Sequence, residues 1–142
     1  MFFVLQAAAR RMLRQDLIPG SELRGKLIQT ASIAAYRGGL PLTPVYAASK
    51  AGVVSLTRTA ASAFAAHRIT ANCVCPGAVQ TPMWEQLDAE WTAVEGWPRG
   101  EAWKRRTAGI PLGRPETPDD VAGVVFMTGQ AINVDGGLVM GN

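Results

Sequence analysis

The run at residues 69–75, ITANCVC, constrains this chain more than any other stretch. It is mostly apolar without strict alternation, the pattern of a strand covered on both faces, and such strands belong to parallel sheets flanked by helices. Pro76-Gly77 ends it. Parallel neighbours need crossover connections, and helical segments lie on both sides to supply them. Residues 2–15 carry Ala, Leu, Met, Gln and Arg, with Phe3, Ala7 and Arg10 or Arg11 at helical spacing, and stop before Pro19-Gly20. They are expected to form a helix. Residues 26–30, KLIQT, read as a strand that opens into a polar loop. Thr43-Pro44 then offers an N-cap and a proline at the first helical position, starting a long helix to about Ala66. Its Ala, Gly and Ser content lets another helix come close to its backbone.

Residues 81–109 hold all four tryptophans, Trp84, Trp91, Trp97 and Trp103, and are cut by WPRG. Two short helices and a loop are expected there, a candidate lid. Thr117, Pro118 and Asp120 form a helix-start signature for DVAGVVFM, and residues 130–134 read as a final strand closed by an Asp135-Gly136-Gly137 turn. The alternation of helix and strand gives an α/β domain with a parallel sheet, one domain over residues 1–142. Neither a G-x-G-x-x-G after a strand nor a Walker A run occurs, so no phosphate cradle can be located.

Composition removes several functions. With 48% hydrophobic and 18% charged residues the chain is globular rather than disordered. Its formal charge is only +3 and its basic residues are scattered, which argues against nucleic acid. The apolar stretches fall short of the roughly 18 to 20 residues that cross a bilayer, and MFFVLQAAARR has no basic n-region. No membrane association and a cytoplasmic location are expected. Cys73 and Cys75 would point to the same side of a strand with no room for a disulfide, and with only His67 near them they are too few for a zinc site. Buried free thiols are expected and no metal.

Tyr46 and Lys50 are four apart on the long helix, so both project from one face. A free phenol titrates near pH 10 and is a poor base at neutrality. A cation about 4 Å away at an effective dielectric near 20 contributes about 4 kcal/mol toward the phenolate, enough to bring a tyrosine into proton-transfer range. The plain alternative is an ordinary surface pair on an amphipathic helix. Ser32 lies just beyond a strand, where open parallel sheets gather their working residues, and would hydrogen-bond a substrate oxygen. Its alternative is a hydroxyl that caps the loop.

Four ordered blocks, TASIAAYRGGLPLTPVYAASKAGVVSLTRTAA, ITANCVCPGAVQTPMW, PLGRPETPDDVAGVVF and QAINVDGGLVMG, resemble the C-terminal part of a short-chain dehydrogenase/reductase. The resemblance covers nearly the whole chain. It implies a Rossmann-like doubly wound parallel sheet, and an oxidoreductase moving hydride between NAD or NADP and a small alcohol or ketone. The family's acid/base tyrosine is matched by Tyr46. Its lysine, which favours the phenolate and holds the nicotinamide ribose, is matched by Lys50, and its substrate-orienting serine by Ser32. The block Pro76, Gly77, Ala78 and Val79, with Thr81 beyond, matches the segment that lies against the nicotinamide carboxamide and pyrophosphate. A residue without bulk at Gly77 would let a flat ring approach closely, and Thr81 would hydrogen-bond a carboxamide or phosphate oxygen. A plain strand-ending turn is the other reading of Pro76-Gly77. The family also implies a homo-oligomer, formed through the helices matched by residues 2–15 and 44–66. The run VEGWPRGEAWKRR is similar to the corresponding part of polyol dehydrogenases acting on sorbitol-like sugar alcohols.

The chain departs from that family in three places. The family's glycine-rich turn and a further Asn have no match, so the expected fold is truncated, with the N-terminal dinucleotide-binding half absent. A sheet edge is then left for association. The alternative function is a non-catalytic remnant serving as an association module, or an incomplete gene product. Ser32 stands fourteen residues before Tyr46, one more than is usual, so the loop at residues 36–43 is expected to bulge. Between Phe126 and Gln130 about ten residues of the usual crossover are missing, so the last strand is expected to be displaced or badly packed.

Overall fold

The computed structural model describes residues 1–37, 43–123, 130–135 and 139. The elements are α1 (Phe2–Met12), β1 (Gly25–Thr30), a 3-10 turn (Ile33–Ala35), α2 (Pro44–Phe64), a second 3-10 turn (Ala65–His67), β2 (Ile69–Pro76), α3 (Met83–Glu95), α4 (Glu101–Thr107), α5 (Pro118–Ala122) and β3 (Ala131–Val134). The sheet order is β1-β2-β3. β1 and β2 run parallel, from Gly25 opposite Ile69 to Thr30 opposite Val74. The α/β class expected from the apolar run is therefore present. The expected loop bulge, the second half of the DVAGVVFM helix and the Gly136-Gly137 turn lie outside the described residues.

The chain divides into two compact units, Met1–Cys75 with Val125–Ile132, and Pro76–Val124 with Asn133–Asn142. The core of the first gathers Ala9, Leu27, Ala60, Ala61, Ile69 and Ala71, with Leu5, Ala8, Met12 and Phe64 packed against it. Alanines on both helices keep the helix-to-sheet distance short, while Leu27 and Ile69 each contribute roughly 1.5–3 kcal/mol by leaving water. On α2 the buried set Val53, Val54, Thr57, Ala60 and Ala61 follows the helical period, so one stripe faces the sheet. Thr57 ties that stripe to β1 by accepting from Gln29 Nε2 at 3.0 Å and donating to the Val53 carbonyl at 2.8 Å.

Two helix ends differ in detail from the expectation. α1 stops at Met12 rather than Gln15 because Gln15 and Arg24 brace each other: Gln15 Nε2 donates to the Arg24 carbonyl, and an Arg24 guanidinium nitrogen donates to the Gln15 carbonyl at 2.6 Å. α2 gives way to the second 3-10 turn, closed by Arg68 in the left-handed region at φ 59°. In the second unit, Thr117 and Asp120 make the expected capping box at the start of α5, with Pro118 in the first turn.

Candidate active site

In the first unit, α2 carries Tyr46 and Lys50 one turn apart. The Lys50 ammonium lies 5.5 Å from the centroid of the Tyr46 ring and donates to the Thr30 carbonyl at 3.0 Å. That bond ties the helix to the end of β1, two residues before Ser32. Tyr46 is 46% exposed, and its backbone carbonyl accepts from the Ser49 hydroxyl at 2.7 Å. Ser32 is buried and caps the first 3-10 turn, its Oγ accepting from the Ala34 amide at 3.1 Å. The capping alternative is thus realised, and it uses an oxygen lone pair rather than the hydroxyl hydrogen. α2 packs on the 3-10 turn that Ser32 caps.

The other tyrosine is a useful control. Tyr36 is partly buried, and burial, reinforced by the Cys75 and Cys73 thiols, pushes its phenol above the usual range, so it is a poor base. Both cysteines are fully buried and free, as expected from the sequence. A side-chain hydrogen bond with Cys73, together with burial, holds the Cys75 thiol far above its ordinary range and keeps it protonated and inert.

In the second unit, Pro76 ends β2, and Val79 bridges to Glu116. The Gly77 amide donates to the Val134 carbonyl and to Glu116 Oε2, both at 3.0 Å. A Cβ on residue 77 would sit 2.5 Å from Glu116 Oε1 and 2.8 Å from Asp135 Cβ. The space that the sequence reading left open for a ring is, on that side of the backbone, taken by the Glu116 carboxyl and by Cα and Cβ of Asp135. Sequence reasoning missed Glu116, which lies 39 residues from its partner and carries no local signal.

Thr81 lines a cavity of about 470 Å³ together with Gln80, Trp84, Asp88, Arg99 and Trp103. Two short helices and a connecting loop form it, as expected for residues 81–109. Trp84 and Trp103 pack with ring centroids 4.9 Å apart, and Trp91 meets Trp84 edge-on at 6.0 Å. Asp88 on α3 accepts from the Gly100 amide at 2.6 Å and the Trp103 amide at 3.0 Å, capping α4 from across the loop. Those backbone bonds hold its carboxyl below the ordinary aspartate range. Asp88 was also invisible to sequence reasoning, since its partners are amides rather than side chains.

With this geometry in view, the relatives are informative. A family model described as "Enoyl-(Acyl carrier protein) reductase" matches residues 1–139. An L-2,3-butanediol dehydrogenase of Corynebacterium glutamicum is 41% identical over 147 residues, covering 97% of this chain and 54% of that protein. The chain belongs to the short-chain dehydrogenase/reductase family. A sorbitol dehydrogenase of Cereibacter sphaeroides is 37% identical over 95% of this chain and 54% of its own length. The crystal structure of a sorbitol-6-phosphate 2-dehydrogenase from Erwinia amylovora superposes with a TM-score of 0.84 at 28% identity, covering 98% of this chain and 56% of that one. The chain spans about half the length of the curated short-chain dehydrogenases/reductases it matches. Among the described residues no helix is long and apolar enough to cross a membrane.

Members of the short-chain dehydrogenase/reductase family use NAD or NADP. Each unit by itself carries donors of the kind that a dinucleotide's sugar and amide oxygens accept. Lys50 spends one donor on Thr30 and has three, and Thr81 presents a hydroxyl at a cavity wall.

Proposed function

We propose that the chain is the catalytic part of an NAD- or NADP-dependent oxidoreductase that interconverts a small secondary alcohol and its ketone. The pairing of Tyr46 with Lys50 carries this reading, because it sets a half-exposed phenol beside an ammonium that is itself fixed to the end of β1. Tyr46 gives its proton to the substrate oxygen during reduction and takes it back during oxidation. Lys50 stabilises the phenolate left behind and offers its remaining donors to the nicotinamide ribose. Ser32, whose Oγ caps the 3-10 turn, holds the substrate oxygen. Pro76, Gly77 and Val79 form the backbone against which the nicotinamide carboxamide rests, and Thr81 bonds its oxygen. The nicotinamide, when bound, supplies or accepts the hydride.

The cavity of the second unit and the relatives support one substrate class. Trp84 and Trp103 offer aromatic faces for C–H-rich carbon, while Gln80 and Arg99 offer hydrogen bonds, which suits a vicinal diol or a sugar alcohol. That agrees with the butanediol and sorbitol dehydrogenases among the relatives. Reduced buried thiols fit the cytoplasm.

A second reading, a non-catalytic association module, is favoured by apolar residues left in water: Phe3 and Val4 on α1 and Val45 on α2. It shares with the first reading a homo-oligomer formed through α1 and α2. One experiment separates them. The 142-residue chain is titrated with NADH and NADPH by tryptophan fluorescence, then assayed with 2,3-butanediol and sorbitol. Saturable quenching and diol- or polyol-dependent reduction of NAD or NADP are expected. An unchanged fluorescence trace with no turnover would overturn the enzymatic reading in favour of the module.

A further inference from the structure

Glu116 lies between α4 and α5 and grips the turn after β2 at three points. Its Oε2 accepts from the Gly77 amide at 3.0 Å, its own amide donates to the Ala78 carbonyl at 3.0 Å, and its carbonyl accepts from the Gln80 amide at 2.7 Å. The side chain is only 4% exposed, yet Oε1 has no hydrogen-bond partner. Because residue 77 is glycine, Oε1 can sit 2.5 Å from where a Cβ would be. Glu116 lines a cavity of about 290 Å³ with Arg114, Asp120, Asn133 and Asp135.

The charges around it disfavour an anion at this position. Asp135 and Asp120 are like-charged neighbours, and the cation that lines the cavity among the described residues, Arg114, is committed to Asp120 through two bonds of 2.7 and 2.9 Å. Burial, with those two carboxylates behind it, raises the Glu116 carboxyl, outweighing the Gly77 and Ala78 amides that pull it down. Accepting from an amide does not require the charge, since a carboxyl group has an oxygen lone pair to offer in either protonation state.

We propose that Glu116 is a positioning residue that fixes the turn at residues 76–81, and that it acts as a hydrogen-bond acceptor rather than as a charge. Its effect on a dinucleotide rests on the function proposed above, in which this turn receives the nicotinamide. The turn's backbone is held at Gly77 by the Val134 carbonyl and at Ala78 and Gln80 by the backbone of residue 116, and the Glu116 carboxyl is a second acceptor on the Gly77 amide. A carboxyl group delivered from 39 residues away adds to that hold, and a turn fixed before binding removes an ordering cost from dinucleotide affinity.

The test compares Glu116→Gln and Glu116→Ala in the full 142-residue chain by amide hydrogen exchange and by NADH titration. In the Ala variant the Gly77 amide keeps the Val134 carbonyl and loses the carboxyl, and is expected to exchange up to about tenfold faster, the worth of roughly one of its two hydrogen bonds. Exchange at Gln80, held by the backbone of residue 116, stays near wild type. The Gln variant keeps wild-type protection at Gly77, because its side-chain carbonyl replaces the acceptor. NADH dissociation constants follow the same order, about tenfold weaker for Ala and unchanged for Gln. Equal Gly77 exchange in wild type and Ala, or a Gln variant that behaves like Ala, overturns the proposal. If Ala does not fold, Gln alone decides: lost protection at Gly77 refutes the acceptor role. Exchange that follows expectation in a chain that binds no NADH upholds the grip on the turn and refutes the dinucleotide reading instead.

Discussion

The Tyr46–Lys50 face and the Gly77–Glu116 turn solve opposite problems. The first sets a half-exposed phenol beside an ammonium four residues away in sequence, so its electrostatics follow from helical geometry alone. The second sets a buried carboxyl against a backbone amide 39 residues away, in a place where charge is disfavoured. One region places a cation beside its working group, and the other surrounds its own with carboxylates. The lesson is that a short-range motif announces its chemistry in the sequence, whereas a group held by long-range packing shows only its partner, here a glycine after a proline.

The largest expected effect sharpens the first side of this contrast. Lys50→Met removes the ammonium beside Tyr46 and the bond to Thr30, and turnover is expected to fall about a hundredfold in a steady-state assay of diol oxidation. Turnover within a few-fold of wild type would mean that the cation does nothing for the phenol.

On the other side, Gly77→Ala forces a Cβ into Glu116 Oε1 and the Asp135 backbone, and is expected to cost about 1–3 kcal/mol by urea denaturation. Combining it with Glu116→Ala should recover part of that loss, since one of the colliding groups is gone. A fully additive double variant would show that the two residues do not meet.

How much of this was legible in the sequence follows the same division. The strands at KLIQT and ITANCVC, the long α2 helix behind Thr43-Pro44, and the Thr117/Asp120 capping box were readable because periodicity and capping are local. The early end of α1 was not, because it is set by the Gln15–Arg24 brace across nine residues. Gly77 was read as room for a ring, and the groups that lie where its Cβ would be come from distant segments. The capping role of Ser32 was visible beside the substrate role proposed for it, and the cap is the one drawn in hydrogen bonds.

Asp88 extends the contrast to a carboxylate that stays charged. Its carboxyl is lowered by the Trp103 and Gly100 amides, so its contribution to α4 is present above the ordinary aspartate value near pH 4 and is lost as pH falls through the lower folded value. Exchange at the Trp103 amide is expected to lose protection below about pH 4 in wild type, and to lack that step in Asp88→Asn. A pH-independent wild-type trace would remove the cap. The smallest effect concerns Arg68, whose left-handed backbone at φ 59° favours glycine: Arg68→Gly is expected to stabilise by up to about 1 kcal/mol in thermal or urea unfolding.

The central claim is that one of two tyrosines does the proton transfer and that its surroundings decide which. Steady-state oxidation of 2,3-butanediol by Tyr46→Phe and Tyr36→Phe, measured side by side with NADH binding, tests it most directly. The expected result is a loss of turnover of at least about a hundredfold in Tyr46→Phe with dinucleotide binding retained, and turnover within a few-fold of wild type in Tyr36→Phe. Retained turnover in Tyr46→Phe, or equal losses in both variants with binding intact, would contradict it.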